Sequence, residues 1–253
     1  MSNTCCFQNE GGSPVGVAGG FLDRLNNSLR YGPAARIFNA GRRLIPSLAL
    51  AVSLGLASSL ASAASARAET VLLGLGDSLM AGYGLPAEES FTAQLEAALK
   101  AKGHDVRVAN AGVSGDTTAG GLARLDWALA EKPDAAIVEL GANDGMRGLA
   151  PEQLYSNLDA ILTRFEKEGV PVLLAGMLAP PNYGKEYGDA FKAAYDRLSE
   201  KHDVVFYPFF LEGVAAERQM NQGDGIHPNK EGVAIIVERI LPKVEELLGK
   251  VDG

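Results

Sequence analysis

The chain has 253 residues, 47% of them apolar, which excludes global disorder and leaves room for one domain, or one domain with an appendage. Its 23 basic and 31 acidic residues give a net charge of −8, but the charge is unevenly spread. Residues 1–43 are rich in Gly, Asn, Ser and Arg and carry Arg24, Arg30, Arg36, Arg42 and Arg43. Residues 44–61 are apolar and uncharged, and small residues then run to Ala66-Arg67-Ala68. A positive segment, an apolar segment and an A-x-A site, in that order, form a secretory leader. Cleavage is expected after Ala68, so residues 1–68 are read as leader and 69–253 as the mature domain, periplasmic or secreted. The competing reading is an uncleaved membrane anchor, because the apolar stretch approaches the roughly 18 residues needed to span a bilayer, although Ser and Gly dilute it. The long positive part also leaves a downstream translation start open.

Removing the leader leaves 17 basic and 29 acidic residues, a net charge of −12. So acidic a body argues against nucleic acid or an anionic membrane surface as its main partner. Membrane contact is then expected only in transient encounters or through an uncleaved leader. Both cysteines, Cys5 and Cys6, lie in the leader, so the domain is expected to have neither a disulfide nor a thiolate site.

Short apolar runs alternate with amphipathic stretches through the domain. Residues 71–75 form the first predicted strand. Phe91, Leu95, Ala98 and Leu99 repeat at helical spacing until Gly103. Residues 106–109 are the second strand, and a Gly/Ser/Thr-rich loop over 110–121 leads to a helix through Leu122, Leu125 and Leu129. Pro133-Asp134 ends that helix, and 135–140 is the third strand. Leu154, Leu158, Ile161, Leu162 and Phe165 mark a helical face, and 170–175 the fourth strand. Phe191, Ala194, Tyr195 and Leu198 mark another helix, 204–207 the fifth strand, and Val233, Ile236, Val237, Ile240, Val244 and Leu247 the last helix. Strands apolar throughout suit a parallel sheet covered on both faces, and helical connections imply right-handed crossovers. The expected fold is a three-layer α/β/α sandwich, flavodoxin-like, with a five-stranded parallel sheet. In such folds ligands bind beyond the carboxyl ends of the strands.

Four polar segments fall at that edge: Gly76-Asp77-Ser78-Leu79, Asn110-Ala111-Gly112-Val113-Ser114-Gly115-Asp116, Gly141-Ala142-Asn143-Asp144 and Asp224-Gly225-Ile226-His227-Pro228. Ser78 sits where a strand turns into a helix, so it is either a helix cap or a nucleophile. A nucleophile needs a base. His104 and His202 lie in helix-to-strand turns at the opposite edge and read as solvated loop residues, which leaves His227. Asp224, three residues earlier, can fix the imidazole tautomer and stabilise the imidazolium; its alternative role is an Asx turn. Backbone N–H groups of Ser78 and Gly115 and the side-chain amide of Asn143 are candidate donors to an oxyanion. Asp77, Asp144 and Asp116 read as loop braces, and Trp127 as a packing residue.

These four ordered blocks resemble those of SGNH hydrolases. Asp77-Ser78-Leu79 with Ala81-Gly82-Tyr83, Val138-Glu139-Leu140-Gly141 and Pro181-Asn182-Tyr183-Gly184 further resemble the bacterial thioesterase I/arylesterase subgroup, over about residues 71–248. Ala142 departs from the subgroup, which often has glycine there. The resemblance implies the SGNH hydrolase fold and a broad serine esterase acting on small acyl esters or thioesters: aryl esters, acyl-CoA and lysophospholipids. It makes Ser78 the nucleophile, His227 the general base and acid, and Asp224 its orienter. It places Ser78, Gly115 and Asn143 around the oxyanion, and the 177–187 loop, with Met177, Leu178 and Tyr183, beside the acyl pocket. No metal or cofactor is called for, and the protein is expected to act as a monomer.

Three other readings compete. Gly74-x-Gly76 after the first strand invites a nucleotide-binding module, but Leu79 stands at the third glycine position and Asn110, not an acid, ends the second strand. A non-catalytic binder on this fold would have no use for Ser78, Asp224 and His227 together. A carbohydrate O-deacetylase keeps the same chemistry, and against it stand the apolar Met177, Leu178 and Tyr183.

Overall fold

The computed structural model describes residues 69–251; the expected leader lies outside the described residues. Five parallel strands form one sheet: β1 (Thr70–Gly76), β2 (Val106–Gly112), β3 (Ala135–Glu139), β4 (Val172–Ala175) and β5 (Val205–Tyr207), in the order β2-β1-β3-β4-β5. All five residues of β3 and all four of β4 are buried, as a sheet covered on both faces requires.

The strand order also distributes the helices. The connection from β1 to β2, through α1 (Ser78–Ala81) and α2 (Phe91–Ala101), runs one way along the sheet. The later connections run the other way. These carry α3 (Thr118–Ala123) and α4 (Leu125–Leu129), then α5 (Ala142–Met146) and α6 (Pro151–Glu168), then α7 (Lys185–Lys201). Right-handed crossovers in opposite directions put their helices on opposite faces. The last helix, α8 (Lys230–Val251), packs on α2, while α3, α6 and α7 pack together. The chain therefore leaves β1 and β3 in opposite directions, and a crevice opens at their carboxyl ends.

Each long helix buries the seam read from its periodicity. In α6, Leu154, Leu158, Ile161, Leu162 and Phe165 are wholly buried, between Pro151 in the first turn and Gly169 closing the helix at φ 72°. Pro242 lies inside α8 without ending it; Ile240, Val244 and Leu247 stay buried around it. Packing of that seam outweighs the lost backbone bond.

The structure corrects several expectations. β2 continues to Gly112 because Asn110, Ala111 and Gly112 still pair with Gly74, Leu75 and Gly76 of β1. The helix expected after residue 121 starts at Thr118 and is split at Arg124, whose guanidinium turns inward to Asp116, Ala111 O and Gly76 O. Trp127, expected to pack, is 63% exposed, because α4 buries Leu125 and Ala128 and turns residue 127 outward. His202, expected to be solvated, is buried, with Nδ1 2.6 Å from Glu166 and Nε2 2.8 Å from Asp159, tying the end of α7 to α6.

Gly112 shows how closely the site is seated on the sheet. A Cβ there would lie 2.3 Å from the backbone nitrogen of Ala81 and 2.8 Å from its Cα. Neither atom can rotate aside. Gly112→Ala is expected to destabilise the protein by about 1–3 kcal/mol, read as a lower denaturant midpoint.

Candidate active site

β1 ends at Gly76, and Asp77 caps α1 by accepting the Leu79 N–H at 2.9 Å. Ser78 is thus the first residue of the helix. Its backbone N–H has no partner among the described residues, as expected at a helix start. Gly82, at φ 77°, closes the helix, and Tyr83 N–H returns to Ser78 O at 3.0 Å.

The segment ahead of α8 brings the imidazole to this hydroxyl. His227 Nε2 lies 2.8 Å from Ser78 Oγ, across 149 residues of sequence. His227 Nδ1 lies 2.7 Å from Asp224 Oδ2. Asp224 Oδ1 accepts the N–H groups of Ile226 and His227, each at 3.0 Å, so the Asx turn and the contact with the imidazole coexist in one residue. Gly225, at φ 75°, lets the turn close. Hydrogen bonds from the His227 side chain and then from the His227 and Ile226 N–H groups pull the Asp224 carboxyl down to about 2.

Two residues that sequence reasoning left without a structural role hold this segment in place. The Gln222 amide donates to Tyr83 O at 2.8 Å and to Pro228 O at 2.9 Å, stitching the histidine turn to the serine turn. The Tyr83 ring lies over His227, with centroids 4.6 Å apart. No spacing pattern announces Gln222; Tyr83 was visible only as part of a motif.

Asn143, from α5, is buried beside Ser78's turn. Its Nδ2 donates to Asp77 Oδ2 at 3.1 Å and to Asp116 O at 2.9 Å. Gly115 adopts φ 85°, and its carbonyl accepts from Arg147 at 2.9 Å. The three acids read as braces act on their loops. Asp144 accepts the Thr118 N–H and hydroxyl, Asp116 pairs with Arg124, and Asp77 holds both α1 and Asn143. Arg124 was not anticipated; it bonds Ala111 O and Gly76 O at 2.8 Å each, joining the ends of β1 and β2. Burial pushes the Asp77 carboxyl up to about 6. This folded group binds its proton more tightly than the unfolded one, so its burial weakens the fold above about pH 6. The loss is relieved as pH falls toward 3.8.

A cavity of about 320 Å³ opens beside Ser78 and His227. Met146, Met177, Leu178, Leu211, Ala215 and Ile226 make its wall largely apolar. Met177 and Leu178 were expected there. Tyr183 was too, but it does not line the cavity: its hydroxyl donates to Met146 O at 2.8 Å, and its ring backs Gly148. It supports the wall from behind because the turn of Pro181–Tyr183 carries its side chain toward the end of α5. A hydroxyl with an oriented imidazole on its oxygen, free N–H donors nearby and an apolar recess is suited to attack on an acyl carbonyl.

Comparison with known proteins agrees. Residues 75–235 match the model of the GDSL-like lipase/acylhydrolase family. The chain is 45% identical over 184 residues to esterase TesA of Pseudomonas aeruginosa, covering 72% of this chain and 91% of that protein. It is 40% identical to thioesterase 1/protease 1/lysophospholipase L1 of Escherichia coli K12, covering 72% and 86%. The crystal structure of TesA superposes with a TM-score of 0.68 at 44% identity, over 70% of this chain and 99% of that one. The chain belongs to the GDSL-like lipase/acylhydrolase family and is a serine esterase of the α/β/α type.

Proposed function

We propose that Ser78 is the nucleophile, His227 the general base and acid, and Asp224 its orienter in a two-step acyl transfer. Ser78 Oγ attacks the carbonyl carbon while its proton passes to His227 Nε2. The tetrahedral intermediate expels the alcohol or thiol, which takes that proton. Water then attacks the acyl-Ser78 ester, with His227 again as base, and releases the acid. The N–H groups of Ser78 and Gly115 and the Asn143 amide receive the developing oxyanion, which competes with Asp116 O for one Asn143 hydrogen. Asn143→Ala is expected to lower kcat by about 10²–10³-fold, checked by steady-state kinetics.

The observation that carries this reading is the unbroken line of contacts Asp224–His227–Ser78 opening onto an apolar cavity. The substrates are small carboxylic esters and thioesters with an apolar acyl group: aryl esters, acyl-CoA and lysophospholipids. A relative's name includes both thioesterase and lysophospholipase. The enzyme acts as a monomer on these small molecules. Residues 1–68 are a leader cleaved after Ala68 that delivers residues 69–253 to the periplasm or the exterior. The order of charged, apolar and small residues supports this.

The test is a substrate panel on the purified protein: p-nitrophenyl esters, acyl-CoA thioesters and acetylated oligosaccharides. Ester and thioester turnover, faster with butyryl and longer acyl groups than with acetyl, is the expected result. Turnover confined to acetylated oligosaccharides would replace this reading with a carbohydrate O-deacetylase.

A further inference from the structure

Beneath the serine turn lies a carboxyl group that the acyl-transfer mechanism does not use. Glu139 is the last residue of β3, paired in register with Gly76, and is 0% exposed. Its Oε2 faces the turn, 3.5 Å from Asp77 N, and shares with the Met80 side chain the space against Gly76. Its Oε1 has no hydrogen-bond partner among the described residues. The fit is close: a Cβ on Gly76 would come within 2.7 Å of both Glu139 O and Oε2. A site that needed only filling would be filled more cheaply by an apolar side chain, because an unpartnered buried polar atom is costly.

We propose that Glu139 is a positioning residue for Ser78: its buried carboxyl anchors from below the backbone N–H of Asp77, the residue that leads into the nucleophile. The inference rests on Ser78 being that nucleophile. Anchoring the residue before it fixes the direction of Oγ toward His227 and of the Ser78 N–H toward the oxyanion.

The surroundings favour the neutral form. Burial and the neighbouring Asp77 carboxylate both push the Glu139 carboxyl well up. From α7, the buried Tyr195 phenol is committed to Leu140 O at 2.7 Å. From the far side of Asp77 come Asn143, which is neutral, Asp116, and His227. Asp144 of α5 is engaged with Thr118. Arg124, the cation that bridges the ends of β1 and β2, is taken up by Asp116, Ala111 O and Gly76 O. No described cation pairs with Glu139, so its ionisation at alkaline pH sets a second negative charge against Asp77 and loosens the turn.

The experiment compares full-length wild type, Glu139→Leu and Glu139→Gln by kcat and KM on p-nitrophenyl butyrate from about pH 6 to about pH 10, with thermal unfolding of each. Glu139→Leu is expected to lose kcat on the order of 10²-fold with KM nearly unchanged, the signature of a misplaced nucleophile. Glu139→Gln, an isostere of the neutral acid, recovers most of that loss and lacks the alkaline decline in kcat that the wild type shows. Three results overturn the proposal: full activity in Glu139→Leu, no recovery in Glu139→Gln, or the same alkaline profile in Glu139→Gln and wild type. If Glu139→Leu does not fold, the Glu139→Gln profile decides alone. A wrong nucleophile would show itself separately, as undiminished turnover by Ser78→Ala.

Discussion

Ser78→Ala is expected to lose kcat on the order of 10⁶-fold while KM changes little, because the covalent route disappears and the binding surface stays. The arithmetic is that of a nucleophile. The substitution removes one oxygen and its 2.8 Å contact to His227 Nε2. A single hydrogen bond of this kind contributes about 1 kcal/mol to folding, so thermal unfolding should shift by only a few degrees. A cap residue would behave in the opposite way, with stability affected and turnover kept. Asp77 already performs the capping through Leu79 N–H. Steady-state kinetics on p-nitrophenyl butyrate alongside calorimetry distinguishes the two.

Asp224→Asn is expected to lower kcat about 10⁴-fold, for a reason of tautomer. The asparagine oxygen can still accept the Ile226 and His227 N–H groups that Oδ1 now accepts, so the turn survives. Its NH₂ then faces His227 Nδ1, which must become an acceptor. The ring proton moves to Nε2, and Nε2 can no longer take the Ser78 proton. The pH dependence carries the same logic. The Asp224 carboxyl is held down at about 2, below its ordinary 3.8, so the favourable contribution of its charge is complete above pH 3.8 and lost only as pH falls through 2. The acid decline of wild-type activity is therefore expected to report protonation of groups other than Asp224. Measuring kcat and kcat/KM of both proteins across pH checks the magnitude and the origin of the decline.

The sheet and the long helices were legible because their signals are local. The burial seams of α6, α7 and α8 are the apolar periodicities themselves. The site was legible for a different reason: the parallel sheet sends every strand's carboxyl end to one edge, so four polar loops had to converge there. What stayed hidden depends on long-range pairing. His202 reads as a solvated turn residue until its partners, Asp159 and Glu166, are seen 43 and 36 residues away. Arg124 gives no sign that it splits a helix to reach Asp116. Trp127 lies on the side of α4 opposite Leu125 and Ala128, so helical geometry turns its indole outward whatever its size suggests. Gln222 is a plain loop amide until Tyr83 O and Pro228 O are found on either side of it. Tyr183 lies in the expected loop, yet it props the cavity wall through Met146 instead of forming it. Glu139 stands in an apolar strand as the one acid among Ala135, Ala136, Ile137 and Val138, a local contrast that marks a special position without saying what it does.

The central claim is that an imidazole delivered just ahead of α8 activates the hydroxyl at the end of β1. Its most direct test is covalent capture: a fluorophosphonate is mixed with the protein at neutral pH, and the digest is read by mass spectrometry. The expected result is a single adduct on Ser78, formed rapidly in the wild type and slowed by orders of magnitude in His227→Ala. An adduct on another residue, or labelling of Ser78 at the same rate without His227, would contradict it.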